Sequence, residues 1–154
     1  MSKEIIIVTI SLGNDGAERI LTELARQWHQ DGHKITVIQT SPNRYGTEYA
    51  LPEGIEQIQI HTTSSNKIIR FLQEIKVLIG ILKKRPHATC LSFLSASSFI
   101  LAISSWFVKN RIVFSERNNP RKVPVGKHQQ MLRDFAFNFA DAIVFQTEDA
   151  KSYF

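Results

Sequence analysis

The fold is decided by residues 5–38, which read IIIVTISLGNDGAERILTELARQWHQDGHKITVI. Residues 5–10 are all apolar or β-branched, which is typical of a strand covered on both faces, as in a parallel sheet. After a turn at 11–16, apolar residues recur with the one-sided spacing of an amphipathic helix, at Ile20, Leu21, Leu24, Ala25 and Trp28. Gly32 ends this helix where a left-handed cap is favourable, and a second strand follows at 33–38. The stretch therefore predicts one complete β-α-β unit.

The same alternation of strands and helices continues along the rest of the chain. Further strands are predicted at 54–60, 88–94, 111–114 and 142–145, and further helices at 66–84, 96–108, 131–139 and 148–154. The strand at 54–60 alternates apolar and polar residues, which indicates a place near a sheet edge. Strands separated by helices predict an α/β fold with right-handed crossovers. We expect a Rossmann-like, doubly wound parallel sheet of about six or seven strands flanked by helices, as one domain over residues 1–154.

Composition restricts the class of protein and of partner. The apolar fraction of 43% and the charged fraction of 21% are ordinary for a globular protein, which excludes disordered, coiled-coil and collagen-like chains. A net charge of +5 favours anionic partners, and nucleotide diphosphates, phospholipid headgroups and nucleic acid all qualify. Nucleic acid is the weakest of these, since the basic residues are dispersed and the aromatic residues are spaced as core.

The sequence also carries signals about the compartment. A lone cysteine, Cys90, cannot form an intrachain disulfide and fits a reducing cytoplasm. The apolar run at 5–10 is too short for a signal peptide or a membrane span. We therefore expect a cytoplasmic protein.

Ligands of an open doubly wound sheet bind beyond the carboxyl ends of the strands. The turn after the first strand contains Gly13 and Gly16, and a phosphate could approach the helix amides beside Gly16 because glycine lacks a Cβ. Alternatively the two glycines only make the turn, with Asp15 and Glu18 as a capping pair. The spacing is not G-x-G-x-x-G and no acidic residue ends the second strand, so dinucleotide binding is disfavoured.

The segment after the fifth strand is the most unusual in the chain. Residues 115–122 read SERNNPRK and place a carboxylate, three cations and two amides directly after a buried strand. An ordinary surface loop carries such residues too. The place of residues 115–122 at the carboxyl end of a strand favours a binding or catalytic site.

Three stretches together resemble a known enzyme family. They are SLGNDGAER at 11–19, SERNNPR at 115–121 and FQTEDAKSYF at 145–154, and the turn DGHKITV at 31–37, which many α/β proteins share, is also typical of it. In this order they resemble the amino-terminal domain of the retaining GT-B glycosyltransferases, a large family that includes enzymes of bacterial capsule, O-antigen and other surface-polysaccharide synthesis. The resemblance spans the whole chain.

The resemblance implies a fold and an activity. It implies two facing Rossmann-like domains: the amino-terminal one mainly binds the acceptor, and the other grips the nucleotide-sugar donor with a pair of glutamates. Residues 1–154 then form the amino-terminal, acceptor-side half, and the carboxyl-terminal donor-binding domain is expected to be absent. The longer enzyme would transfer a sugar from a nucleotide sugar to a saccharide or lipid-linked acceptor, with no metal and no other cofactor. The fragment alone is expected to be inactive.

The resemblance also assigns roles to residues. Gly13 and Gly16 match the loop that approaches the donor diphosphate, whereas Asp15 replaces a glycine and would weaken that approach unless it points away as a cap. The position that many members fill with a histidine falls at Arg117, or alternatively at Glu116. Arg117 would bind the acceptor or stabilise leaving-group charge, and Glu116 would orient an acceptor hydroxyl; an ion pair organising the loop is the alternative. The predicted acceptor-binding residues are Ser95, Asn118, Arg121, Thr147 and Glu148.

Two alternatives remain open from the sequence. The helix at 66–84 is both apolar and basic, so it could lie on anionic lipid and suit a lipid-linked acceptor. Ordinary packing against a parallel sheet explains the same apolar residues and is favoured. The whole domain could also be a non-catalytic α/β module that binds a nucleotide or a sugar phosphate.

Overall fold

The protein is described here by a computed structural model. The structure describes residues 2–13, 16–41, 49–93, 95–117 and 126–153, without the side chains of Ser95, Ala96 and Gln129. In chain order the elements are β1 (Glu4–Thr9), α1 (Gly16–Gln30), β2 (Lys34–Gln39), β3 (Glu56–Gln59), α2 (Lys67–Lys83), β4 (Thr89–Ser92), α3 (Ser95–Ser105), β5 (Arg111–Glu116), α4 (Lys127–Phe137), β6 (Ala142–Phe145) and α5 (Glu148–Lys151).

The strands form one parallel sheet in the order β3-β2-β1-β4-β5-β6. The central strand β1 pairs on one side with β2 and on the other with β4, so that Ile5 lies opposite both Ile35 and Thr89. Strand order reverses between β1 and β4, which is the switch point of a doubly wound sheet. The predicted fold is thus confirmed, and β3 lies at the sheet edge as its alternating sequence predicts.

Both faces of β1 are buried, which explains its unbroken apolar sequence. Side chains alternate between the two faces of a strand, so Ile6 and Val8 pack with α2, α3 and α4, whereas Ile7 packs with α1. All three side chains are fully buried. Burial of this kind is the main stabilising term of the fold, at about 1.5–3 kcal/mol for each large apolar side chain.

The helix ends follow local chemistry. Asn66 caps α2, because its side-chain oxygen accepts hydrogen bonds from the backbone nitrogens of Ile68 and Ile69 at 2.9 and 3.3 Å. Gly32, just beyond α1, has a φ of 85°, in the left-handed region where glycine is favoured, as predicted.

One predicted boundary is wrong and affects the site. The sequence places Ser115 and Glu116 in the loop after the fifth strand, but β5 continues through both, opposite Val144 and Phe145 of β6. Pairing with β6 holds these polar residues in the sheet although their side chains are not apolar. The functional loop therefore begins at Arg117.

The two halves of α2 differ in exposure. Ile75, Leu78 and Leu82 are buried against the sheet, as the core-packing interpretation predicts. Ile68 and Leu72 in the first half are 72% and 57% exposed, so an apolar surface also faces outwards there. Within the described ranges, no helix combines the length and the apolar character that a bilayer crossing requires.

Candidate functional site

The carboxyl ends of β4, β5 and β6 bring three distant segments together. Because these strands are parallel and paired in register, Phe93 after β4, Arg117 after β5 and Gln146 after β6 emerge at the same edge of the sheet. This is the edge at which doubly wound sheets bind ligands.

Arg117 is held from two directions. Its guanidinium carbon lies 5.7 Å from the centre of the Phe93 ring, within the range of a cation–π contact. In the amide orientation that satisfies both groups, the Gln146 side-chain oxygen accepts from Arg117 Nη2 at 2.8 Å and from Nε at 3.2 Å. The Gln146 nitrogen then donates to the Arg117 carbonyl oxygen at 2.9 Å. One side chain thus fixes both the guanidinium and the backbone of this residue.

The environment of Arg117 strengthens the attraction of its charge for an anion. Partial burial lowers the pKa of the guanidinium below its ordinary value, but arginine stays protonated at neutral pH. A charge held away from bulk water attracts an anion more strongly than a freely hydrated one. The described contact of the Arg117 guanidinium is with Gln146, and the alternative of an ion pair that organises the loop stays a prediction.

Glu116 is the last residue of β5 and is only 7% exposed. Its buried position differs from the loop position that the sequence suggests. The carboxylate lies at the same sheet edge as Arg117. Its proposed role in orienting an acceptor hydroxyl stays a prediction.

The turn after β1 is buried at its start and open at its end. Residues 11–13 are buried, and Thr9 Oγ1 donates to the Ser11 carbonyl oxygen at 3.1 Å. Gly16 opens α1 and is exposed, and among the described residues, its chain neighbours and its own helix backbone aside, no atom lies within 4 Å of the place a Cβ would take. The described residues thus leave Gly16 open to a ligand. Asn14 and Asp15 lie outside the described residues, so the predicted cap by Asp15 stays a prediction.

A cluster of hydroxyls links β4 to α3. Ser92 Oγ lies 2.8 Å from Ser97 Oγ and accepts from Ser98 Oγ at 3.1 Å, and all three residues are buried. The cluster ties the end of the strand to the first turns of the helix. Ser95, a predicted acceptor ligand, is the first residue of α3, and the structure does not describe its side chain.

The predicted acceptor residues after β6 have structural contacts of their own. Thr147 caps α5, since its hydroxyl oxygen accepts from the Ala150 nitrogen at 3.1 Å. The Glu148 side chain is 90% exposed and lies 3.7 Å from Lys151 Nζ. Asn118 and Arg121 lie outside the described residues. Acceptor binding by these four residues stays a prediction.

A cavity that the sequence interpretation missed lies elsewhere along the same edge. This α2 cavity, of about 280 Å³, is bounded by the first half of α2, by α3 and α4, and by residues that follow β1 and β2. Lys67, Arg70 and Glu74 line it, and Glu74 is only 8% exposed. The sequence did carry a signal, because Glu74 shares the buried stripe of α2 with Ile75, Leu78 and Leu82.

A metal site and a reactive thiol are the two other kinds of functional site to consider. In the described ranges no group of three or more His, Cys, Asp or Glu side chains could hold a metal ion. Burial raises the pKa of the Cys90 thiol to about 12, so this residue is a core side chain that stays protonated, and not a nucleophile, at neutral pH.

Three solved structures show what the fold resembles. Sucrose-phosphate synthase from Thermosynechococcus elongatus matches with a TM-score of 0.74 at 9% identity, covering 98% of this chain and 44% of that protein. The lipopolysaccharide outer core galactosyltransferase WaaB matches with 0.71 at 12%, covering 97% and 41%. UDP-GlcNAc 2-epimerase from Methanocaldococcus jannaschii matches with 0.66 at 14%, covering 99% and 41%. The chain thus spans less than half the length of each.

Sequence comparison gives a family but no curated relative. The family model described as Glycosyltransferase Family 4 matches residues 14–154. Among curated protein sequences, none matches this chain.

Proposed function

This chain belongs to Glycosyltransferase Family 4, and from that premise we propose that it is the amino-terminal domain of a retaining glycosyltransferase. The longer enzyme transfers a sugar from a nucleotide-sugar donor to a saccharide or lipid-linked acceptor, in bacterial surface-polysaccharide synthesis. The chain spans 44% of sucrose-phosphate synthase and 41% of the galactosyltransferase WaaB, which supports a second domain in the longer protein.

The observation that carries the proposal is the fixed cation at Arg117. Its guanidinium is bound by Gln146 and lies over the Phe93 ring, at the ligand-binding edge of the sheet. In the transfer, the acceptor oxygen bonds to the anomeric carbon and the bond from that carbon to the phosphate oxygen breaks. The electron pair of this bond and the acceptor proton leave with the nucleoside diphosphate. A cation fixed in advance stabilises such developing negative charge without reorganisation.

The other residues of the edge complete a division of labour. Gly16, which the described residues leave open, and Gly13 bring the donor diphosphate to the turn after β1. Glu116 orients the acceptor hydroxyl. The remaining contacts to nucleotide and sugar come from the second domain, so the chain alone binds nucleotide weakly and does not turn over. The reaction needs neither a metal nor another cofactor.

The proposal is tested by a donor screen on the longer protein, with release of nucleoside diphosphate as the assay. We expect release with at least one sugar nucleotide when saccharide or lipid-linked acceptors are supplied. Arg117→Lys should lower kcat/KM roughly tenfold to hundredfold, because lysine cannot keep the two-nitrogen contact with Gln146. Arg26→Lys on the exposed face of α1 is the matched control and should change little. No release with any donor and acceptor would exclude the enzyme.

The competing function is a non-catalytic module that binds a nucleotide or sugar phosphate. The fold alone does not decide between transferase and module, because proteins of this fold differ in activity: an epimerase of UDP-GlcNAc shares it with the transferases. The coding sequence beyond residue 154 does: a second α/β domain with two glutamates seven residues apart favours the transferase, and a stop codon favours the module. Conversion of a sugar nucleotide without any acceptor would instead indicate epimerase chemistry.

Peripheral binding to the inner face of the cell membrane is the second part of the proposal. The exposed face of α2 carries Ile68, Ile69 and Leu72 beside Lys76, and the buried Glu74 is the one acidic residue among 67–83, all of which the structure describes. An apolar surface flanked by cations is complementary to anionic lipid. Such binding would bring a lipid-linked acceptor to the domain.

Liposome co-sedimentation tests the membrane contact. The protein should sediment with vesicles that contain phosphatidylglycerol, less with phosphatidylcholine alone, and less again at high salt. Leu72→Ser and Lys76→Glu should each weaken sedimentation, whereas Lys109→Glu, an equal charge change at an exposed position before β5, should not. Absence of binding to anionic vesicles at low salt would contradict the membrane contact.

A further inference from the structure

We propose that the α2 cavity binds a saccharide that carries a phosphate or carboxylate group, and that this saccharide is the acceptor. The identification as acceptor rests on the proposed function; the binding itself does not. The cavity of about 280 Å³ shares Thr40, Ser41 and Arg70 with a neighbouring smaller one of about 180 Å³ beside the residues that follow β3. The larger cavity alone has roughly the size that a sugar ring with one substituent requires.

Glu74 is the first reason to regard the cavity as a binding site. Its side chain is mostly buried and lines the cavity, and within the described residues its carboxylate makes no hydrogen bond or ion pair. Arg70, one helical turn earlier, interacts with it only electrostatically. A carboxylate that lines a cavity offers acceptors to a ligand that supplies hydrogen-bond donors. The hydroxyls of a saccharide are such donors.

An aromatic pair forms the second element of the cavity. The rings of Phe71 and Phe99 stack with their centres 5.8 Å apart and their planes 19° apart, and both residues line the cavity. Neither is fully buried. Stacked aromatic rings offer an apolar face of the size of a pyranose, against which the C–H side of the sugar packs while its hydroxyls face the polar wall.

Two cations at the rim define the rest of the ligand. Lys67 and Arg70 line the cavity and are exposed, and no acidic side chain pairs with either at salt-bridge distance in the described part of the chain. A simple anion would be repelled by Glu74 if it entered deeply. An anionic group at the rim and uncharged hydroxyls below it satisfy both charges at once, and a sugar phosphate or a sugar acid has this arrangement.

A ligand titration of the 154-residue chain tests the proposal directly. The Phe71 and Phe99 ring signals are followed by NMR during addition of glucose 1-phosphate, glucuronate, glucose and inorganic phosphate. Glucose 1-phosphate and glucuronate should move both signals at roughly tenfold lower concentration than glucose, because two rim cations add to the affinity. Glucose 1-phosphate carries a phosphate and glucuronate a carboxylate, so the ratio of their affinities identifies the anionic group. Inorganic phosphate alone should leave the rings unmoved.

Three variants separate the roles of the groups. Arg70→Gln should weaken the binding of glucose 1-phosphate by about threefold to tenfold without changing the affinity for glucose. Glu74→Leu should weaken the binding of both ligands about tenfold while raising the Tm, because it removes a carboxylate whose charged form is disfavoured by burial together with the ligand's hydrogen-bond acceptor. A merely structural role for Glu74 gives the opposite Tm change. Lys109→Gln is the charge control and should change neither binding nor Tm.

Several outcomes would overturn the proposal. Ring signals that no saccharide moves, equal affinity for glucose and glucose 1-phosphate, or ring shifts with inorganic phosphate alone would each exclude an anionic saccharide site. The outcome is independent of catalysis. Transfer by the longer enzyme with an unchanged acceptor KM in Arg70→Gln and Glu74→Leu would refute the acceptor pocket and leave the transferase standing. Saccharide binding by the cavity without any transfer by the longer enzyme would refute the transferase and leave the binding site standing.

Discussion

The side chain of Gln146 binds both ends of Arg117, since its oxygen accepts from Nη2 and Nε and its nitrogen donates to the carbonyl oxygen 2.9 Å away. This pairing joins the first residue after β5 to the first residue after β6. The cation therefore keeps one position before any ligand arrives. Preorganisation of this kind is what allows a charge to favour a transition state over a ground state.

A double-mutant cycle should detect this pairing. Gln146→Leu leaves a partly buried guanidinium without its acceptor and should lower the free energy of unfolding by about 1–3 kcal/mol. Arg117→Met in the Gln146→Leu background should cost less than Arg117→Met alone, with a coupling energy of about 1 kcal/mol or more. Denaturant unfolding of the four proteins gives the coupling, and a value indistinguishable from zero would mean that the two side chains do not interact in solution.

Gly54 should tolerate alanine less well than Gly32 does. Both have a positive φ, of 91° and 85°, so alanine strains the backbone at either position by about 1 kcal/mol. A Cβ at Gly54 would also lie 2.8 Å from His29 Nε2, whereas at Gly32 no atom lies within 4 Å. Thermal unfolding should show a larger Tm loss for Gly54→Ala. His29→Ala in that background should remove the excess loss only; a full return to the wild-type Tm would show that backbone strain is negligible.

Glu74→Gln should make stability less dependent on pH. Burial raises the pKa of the Glu74 carboxyl above its ordinary value of 4.5, although nearby Arg70 opposes the shift; Lys67 is the other charged group of the cavity. Since the folded-state pKa is the higher one, ionisation of Glu74 lowers the free energy of unfolding as pH rises from about 4.5 through the folded value. The variant should be the more stable protein at neutral pH.

The advantage of Glu74→Gln should disappear below pH 4.5, where the carboxyl is protonated in both states. Urea titrations at pH 4 to 8 measure the difference. Glu23→Gln is the matched control, because Glu23 is exposed and paired with Arg26 at 2.9 Å. It should be neutral or slightly destabilising at neutral pH. An advantage of Glu74→Gln that persists unchanged to acid pH would show that carboxyl ionisation is not its cause.

Cys90 should be inert towards thiol reagents in the folded protein. The residue is fully buried and its thiol has a pKa of about 12, so neither access nor the thiolate form favours reaction near pH 8. Ellman's reagent should react with one thiol only after denaturation in guanidinium chloride. Rapid reaction of the native protein would indicate that β4, on which Cys90 lies, opens readily at the centre of the sheet.

The fold was predictable from sequence because its decisive signals are local and repeated. The apolar run at 5–10, the helical spacing before Gly32 and the later strand and helix patterns each specify an element that the structure contains. Where prediction failed, as at Ser115 and Glu116, the cause is pairing with a neighbouring strand. Such pairing overrides local polarity and cannot be seen in a window of a few residues.

The candidate site was only partly predictable. Residues that follow strands could be expected at one edge, so Gly16 and Arg117 were named from sequence. The partners of Arg117 could not, because Phe93 and Gln146 come from segments whose contact depends on tertiary packing. Glu74 was not predicted for a different reason. The apolar spacing of α2 indicates which side chains face the sheet, but it does not indicate that the one acidic residue of the helix is buried with them.

The strand order has a consequence for how the polypeptide acquires its shape during synthesis. Strands β1, β2 and β3 pair within residues 4–59 and can associate before β4 has been made. Contact between Ile5 and Thr89 must wait for that later segment and close a much longer loop. The switch point therefore lies between the half of the sheet that is synthesised first and the half that is synthesised later. The cavity beside α2 and the Arg117 pairing, which need α3, α4 or β6, are assembled only when the late half docks.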